Sequence, residues 1–245
     1  MTGLFSLTGK TILITGASSG IGKEAAILIS KAGGTVFITG RDEKRLKETF
    51  NRLEGEGHGM KVADLTVETE MDALIEEMPK LNGIVHCAGI VGPLPVKFIL
   101  QEHIDLMFSI NYMAPVNLTG KLLRKKKVID SASILFMSTI ATKNPYFGGA
   151  LYSGSKAALE AYAKTLALEL VGKGIRANCL MAGLVDTPMI ESPSEEAMQE
   201  EALVRYVKRY PLGVGKPEDV AGAILYFLSD ASKWVSGTSL ILGGE

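Results

Sequence analysis

The chain has 245 residues, 47% hydrophobic and 22% charged, with 27 glycines, which suits one large α/β domain (1–245) and excludes a disordered or collagen-like chain. A formal net charge of −1 offers no field for nucleic acid, so no such partner is expected. The first ten residues carry no apolar signal core and no apolar run reaches about 18 residues, so no membrane partner is expected and the location is read as cytoplasmic.

Residues 11–15, Thr-Ile-Leu-Ile-Thr, read as a buried strand, and a helix follows over about 20–32. A second strand is predicted at 35–39, then a charged helix over 42–54 that Asp42 can cap. Further strands are expected at 58–63, 83–86, 134–137 and 174–179, and a last one at 239–242. Nearly continuous apolar strands alternating with helical patterns predict a parallel sheet covered on both faces. Arg124-Lys-Lys-Lys127 reads as the charged end of a helix, favourable to its dipole. Between 185 and 211 the rhythm breaks at Pro188, Pro193 and Pro211 around an acidic, methionine-containing helix, which reads as a substrate flap. His58, His86 and His103 show no metal-ligand spacing, so no metal is expected. Cys87 and Cys179 lack paired spacing, which predicts no disulfide framework and fits a reducing compartment.

Between the first strand and the first helix stands Thr15-Gly16-Ala-Ser-Ser-Gly20-Ile-Gly22. Its glycines permit a tight turn, close approach of a pyrophosphate and tight helix–strand packing, while N–H groups at the helix start bind the anion. The spacing is Gly-x-x-x-Gly-x-Gly rather than Gly-x-Gly-x-x-Gly, and a plain turn is the alternative. Placement between strand and helix favours the cradle. The second strand runs out into Thr39-Gly40-Arg41. An NAD site usually places an acid there for the ribose 2′-hydroxyl, whereas Arg41 can bind a 2′-phosphate through paired hydrogen bonds. Asp42 is placed to cap the helix instead. The predicted cofactor is therefore NADP(H) rather than NAD(H).

In Leu151-Tyr-Ser-Gly-Ser-Lys-Ala-Ala-Leu-Glu160, Tyr152 and Lys156 stand one above the other on a helix face. A free phenol, with a pKa near 10, is a poor acid–base catalyst at neutrality. An ammonium about 4 Å away, at an effective dielectric near 20, stabilises the phenolate by roughly 4 kcal/mol. That lowers the pKa by as much as about 3 units, toward the range of a general acid or base. An isolated pair of this kind reads more simply as surface residues. Here it follows a phosphate cradle.

With the cradle, Ser138, Tyr152 and Lys156 in this order, the chain resembles the short-chain dehydrogenase/reductase family over essentially its whole length. The resemblance implies a single doubly wound, Rossmann-type domain whose parallel seven-stranded sheet, with helices on both faces, carries cofactor and active site together. It implies that Ser18, Ser19 and Ile21 share the cradle with Gly16, Gly20 and Gly22. Asp64 and Leu65 would lie near the adenine, Cys87, Ala88 and Gly89 along the ribose–nicotinamide side, and Thr187 at the nicotinamide amide. Ser138 would donate to the substrate carbonyl, and Tyr152 would give that oxygen a proton while hydride arrives. Lys156 would lower the Tyr152 pKa and anchor the ribose hydroxyls, and Asn111 would hold a relay water. Two positions depart from the family pattern. His86-Cys87-Ala88-Gly89 replaces Asn-Asn-Ala-Gly, with His86 read as a hydrogen-bonded structural residue in preference to a catalytic one, and Ala182-Gly183 replaces Pro-Gly, loosening the nicotinamide loop.

Within the family the resemblance is to 3-oxoacyl-[acyl-carrier-protein] reductases, and enzymes of small ketones, sugars and steroids look similar. It implies reversible, NADPH-dependent reduction of a carbonyl on a small-molecule or carrier-bound substrate. Relatives are homo-oligomers, tetramers or dimers, and Ala157, Ala158, Ala161 and Ala167 would permit close helix packing. Arg124–Lys127, and Lys173 with Arg176, are candidate contacts for an acidic carrier protein. The reading from another class is a silent NADP(H)-binding regulator. Loss of Tyr, Lys or Ser would mark one, and all three are present.

Overall fold

The structure, a computed structural model, describes residues 3–189 and 212–243. Its strands are β1 (Thr11–Thr15), β2 (Thr35–Gly40), β3 (Gly59–Val62), β4 (Leu81–His86), β5 (Val128–Thr139), β6 (Arg176–Ala182) and β7 (Ser239–Leu242). All pair in parallel, in the order β3-β2-β1-β4-β5-β6-β7. The helices are α1 (Gly20–Lys31), α2 (Glu43–Phe50), α3 (Glu68–Glu77), α4 (Gln101–Phe108), α5 (Ala114–Arg124), α6 (Ala150–Leu170) and α7 (Pro217–Leu228). Strand order reverses between β1 and β4, and ligands of such sheets bind at the carboxyl ends of the strands beside that switch point.

Successive strand residues point to opposite faces, and here both faces are apolar. Ile12, Ile14, Val85, Leu135, Met137 and Leu180 pack with α1 and α7. Their neighbours Leu13, Ile84, Ile134, Phe136 and Cys179 pack with α3, α5 and α6. Each strand therefore needs a helical layer on either side, which the connections supply.

Three elements differ most from the sequence reading. The second helix is capped by Asp42, whose carboxylate accepts from Arg45 N at 2.9 Å, but it ends at Phe50 rather than 54. Turns donated by Arg52 N to Thr49 O and Leu53 N to Phe50 O then bring Leu53 back onto the core. β5 begins at Val128, well before 134, because its first residues form a polar extension with Asp130 and Ser131 exposed. β6 is displaced toward its carboxyl end, starting at Arg176. Within the expected flap, Pro188 is described, while the acidic helix with Pro193 and Pro211 lies outside the described residues.

Candidate active site

The turn after β1 is built by glycine where nothing else fits. Gly16 has φ +67°, and a Cβ there would sit 2.7 Å from Ala88 N; one at Gly22 would sit 2.4 Å from Gly16 O. The same turn is tied to the end of β4 by Ala88 N, which donates to Thr15 Oγ1 at 3.1 Å. No acidic side chain occupies the first turn of α1 and the Ser19 side chain does not cap it. Its first N–H groups are thus left for an anion, as a pyrophosphate requires.

A cleft of about 560 Å³ opens from this turn. The cofactor candidates Gly16, Ser18, Ser19, Gly20, Ile21, Gly22, Arg41, Asp64, Leu65, Cys87, Ala88, Gly89 and Thr187 all line it. Thr187 comes over the cradle, its Cγ2 3.1 Å from where a Gly20 Cβ would stand. The segment carrying Thr187 is fastened by Gly183 N to Leu242 O and by Asp186 N to Gly215 O, each 2.9 Å, so the missing proline at 182 is offset by hydrogen bonds.

At the adenosine end, each cation has an acidic neighbour. Arg41 Nη1 lies 3.7 Å from Asp64 Oδ2, and Arg45 Nε lies 2.6 Å from Asp42 Oδ2. Burial raises the Asp64 carboxyl, but hydrogen bonds from Thr66 and the Arg41 charge outweigh it and hold the group below its ordinary range. Arg45 also lines the cleft, one turn along α2, and sequence reasoning missed it.

At the other end of the cleft, Gly89 stands beside the Lys156 and Asn111 side chains. A Cβ on Gly89 would lie 3.1 Å from Asn111 Oδ1 and 3.2 Å from Lys156 Nζ. Lys156 is buried, donates to Met137 O at 2.9 Å, and holds its ammonium 6.0 Å from the centroid of the half-buried Tyr152 ring. Burial pushes the Lys156 pKa down to about 8. Burial also pushes the Cys87 thiol up to about 12, and burial with the Lys156 charge pushes His86 down to about 3. At neutral pH both neighbours are therefore uncharged.

Asn111 lies in a π-helical turn, Ser109–Met113, between α4 and α5. Such turns often mark functional sites. Its amide braces two elements: Oδ1 accepts from Ile90 N at 2.8 Å, and Nδ2 donates to Ile90 O at 2.9 Å and Ser155 Oγ at 3.2 Å. His86 is stacked on Phe136 at 4.8 Å with Nε2 2.9 Å from Thr119 Oγ1, so it ties β4 to α5.

Ser138 lies at the end of β5, against α6. Its hydroxyl gives its proton to the buried carboxylate of Glu160, 2.7 Å away on α6. The next residue, Thr139, ends β5 and turns to the opposite side of the strand. Its hydroxyl accepts from Ala141 N at 3.3 Å and donates to no described group. The sequence offered two adjacent hydroxyls at a strand end, and the partner that commits one of them is 22 positions away.

The comparisons with known proteins place the chain in a family. A family model described as Enoyl-(Acyl carrier protein) reductase matches residues 16–244. The chain is 34% identical over 242 residues to the 3-oxoacyl-[acyl-carrier-protein] reductase FabG of Rickettsia felis, covering 98% of both chains. It is 31% identical to the protein of that name from Thermotoga maritima, covering 97% of this chain and 98% of the relative. It is also 28% identical to human dehydrogenase/reductase SDR family member 4, over 100% of this chain and 90% of the relative. Among solved structures, a short chain dehydrogenase/reductase family protein superposes with a TM-score of 0.85 at 29% identity, and a putative betaketoacyl-ACP reductase with 0.83 at 29%; each match covers 98% of both chains.

Proposed function

The chain belongs to the short-chain dehydrogenase/reductase family, and from that premise we propose an NADPH-dependent reductase of 3-oxoacyl groups that also runs in reverse as an alcohol dehydrogenase. It is an oxidoreductase that uses a nicotinamide cofactor. The observation that carries the proposal is the meeting of the dinucleotide cleft with Lys156 and Asn111 at Gly89, with Tyr152 one helical turn away. When bound, the nicotinamide supplies a hydride to the carbonyl carbon. Tyr152 hydrogen-bonds the carbonyl oxygen and gives it the proton, so the product is the alcohol. The dehydrated Lys156 ammonium stabilises the phenolate left behind and would hold the ribose hydroxyls of the cofactor. The Asn111 turn holds the water that resupplies the proton. Thr139, whose proton is uncommitted, takes the oxyanion-stabilising role first read for Ser138.

NADPH preference rests on Arg41. A charge-assisted hydrogen bond contributes about 1.5–3 kcal/mol, but the Arg41 side chain is 62% exposed and already faces Asp64. We expect Arg41→Ala to weaken NADPH binding by roughly 10-fold, the low end of that range, and to leave NADH binding nearly unchanged. Fluorescence titration with both cofactors checks this. Equal losses for both would reduce Arg41 to a surface residue.

The carrier-protein part of the proposal rests on fewer cations than the sequence offered. Lys121 pairs with Glu68 and Asp72, Lys125 approaches Glu76 at 3.8 Å, and Lys127 Nζ donates to Met78 O. Arg176 turns inward, donating to Phe227 O at 2.8 Å and Val235 O at 3.3 Å, so it is withdrawn from the docking set. Arg124, Lys126 and Lys173 keep the proposed contact. The test compares a 3-oxoacyl carrier protein with the same acyl group on a small thiol across a range of salt. A kcat/KM advantage for the carrier that fades with salt, and that charge reversal at Lys126 or Lys173 removes, supports docking. Equal, salt-insensitive rates favour a reductase of free ketones.

A homo-oligomer is part of the same reading. Ala167 is buried against the sheet, but Ala157 and Ala161 face outward on α6. Near the other end of α6, Leu168, Val171 and the 98% exposed Trp234 leave apolar surface open, and a Cβ on Gly237 would lie 3.6 Å from that of Ala167. Trp234 is the chain's single tryptophan. Light scattering should give a multiple of the 26.2 kDa chain mass, and dilution should shift tryptophan emission to the red as Trp234 is uncovered. A monomer at micromolar concentration removes this part.

A further inference from the structure

One buried carboxylate takes no part in the chemistry above. Glu160 is 6% exposed on α6, four residues after Lys156 and eight after Tyr152. The three form one stripe along the helix, a phenol, an ammonium and a carboxylate at successive turns. Glu160 Oε1 accepts two hydroxyl hydrogen bonds, from Ser138 Oγ at 2.7 Å and from Thr142 Oγ1 at 2.8 Å. One turn earlier, Lys156 holds Met137 O, so the stripe grips the end of β5 and the short 3₁₀ turn that follows it.

Thr139 lies between the two gripped hydroxyls. It caps the 3₁₀ turn Ile140–Thr142, and the single Thr142 hydroxyl proton is shared between Glu160 Oε1 at 2.8 Å and Thr139 O at 3.2 Å. An apolar side chain at 160 would pack against the strand at lower desolvation cost, but would leave the Ser138 hydroxyl unpaired and Thr142 with only its longer contact to Thr139 O. The Lys156 ammonium goes to a main-chain carbonyl rather than to Glu160, so the carboxylate acts on the strand end and not by pairing the lysine. We infer that Glu160 is a positioning residue: by holding Ser138 and Thr142 it fixes the Thr139 hydroxyl relative to Tyr152. The inference rests on the reading of Thr139 as the hydroxyl that meets the substrate.

The test is a double-mutant cycle on kcat, with NADPH dissociation measured on the same proteins. Glu160→Ala should lower kcat by about 10- to 100-fold, as misplacing a reacting group by about 1 Å does, with NADPH binding within about 2-fold of wild type. Glu160→Gln, whose amide oxygen can accept from both hydroxyls, should recover kcat to within about 5-fold. In a Thr139→Val background, Glu160→Ala should cost less than about 2-fold further, because it acts through Thr139. Equal fractional losses in both backgrounds, or wild-type kcat in Glu160→Ala, overturn the inference. Should Glu160→Ala fail to fold, Ser138→Ala and Thr142→Val each release one grip and enter the same cycle. Thr139→Val alone tests the premise. Wild-type kcat there, with Tyr152→Phe inactive, removes the Thr139 role and this inference with it, and leaves the reductase reading standing.

Discussion

Tyr152→Phe is expected to lower kcat by roughly 10³- to 10⁴-fold, near the upper end of what one positioned acid contributes. NADPH dissociation should change by less than about 2-fold, since the half-buried phenyl ring keeps its packing and only the transferable proton is lost. Single-turnover kinetics separate the two effects. A variant that turns over at near wild-type kcat would falsify the assignment of Tyr152 as the acid.

Lys156→Met is expected to damage both turnover and cofactor binding, by about 10²-fold or more in kcat, because in the proposed mechanism one ammonium serves both the phenolate and the ribose. It also carries a stability signature. Burial lowers the Lys156 pKa to about 8 from an ordinary 10.5, so the folded state holds this proton less firmly than the unfolded chain. The burial cost is fully present below pH 8, shrinks as pH rises through the window to 10.5, and is gone above it. Between those limits the unfolded chain binds more protons, so stability gains with pH. Lys156→Met lacks this gain. Melting curves should therefore show wild type catching up on the variant between about pH 8 and 10.5, where the two pKa values lie. A stability difference that stays flat across that window would place the ammonium in a better-solvated site than the structure does.

The parts of the fold legible in the sequence were those set by local pattern. Alternating apolar strands dictated two helical layers, because residues such as Leu13 and Ile14 need cover on opposite faces. The cradle was legible because positive-φ turns and close approaches admit only glycine, as at Gly16. The Asp42 cap was legible because a cap is satisfied within three residues. What was not legible depended on partners far along the chain. Arg176 looks like a surface cation, yet its guanidinium is spent on carbonyls 51 and 59 positions away. Ser138 and Thr139 differ by one step in a strand, which reverses the side they face. Only the three-dimensional position of Glu160 shows which hydroxyl is taken. Glu160 itself had a signal, since it continues the Tyr152–Lys156 stripe by one turn, but a glutamate on a helix reads by default as solvated.

The most direct test of the account follows a labelled hydride. Wild-type protein is mixed with NADPH carrying deuterium at the transferable position of the nicotinamide, together with a 3-oxoacyl thioester, and the product is analysed by mass spectrometry. The account predicts one deuterium on the former carbonyl carbon for each cofactor oxidised, and no labelled product from Tyr152→Phe on the same timescale. Tight NADPH binding with no deuterium transfer to any carbonyl substrate offered would contradict it, and would identify the chain as a nucleotide-binding protein without this chemistry.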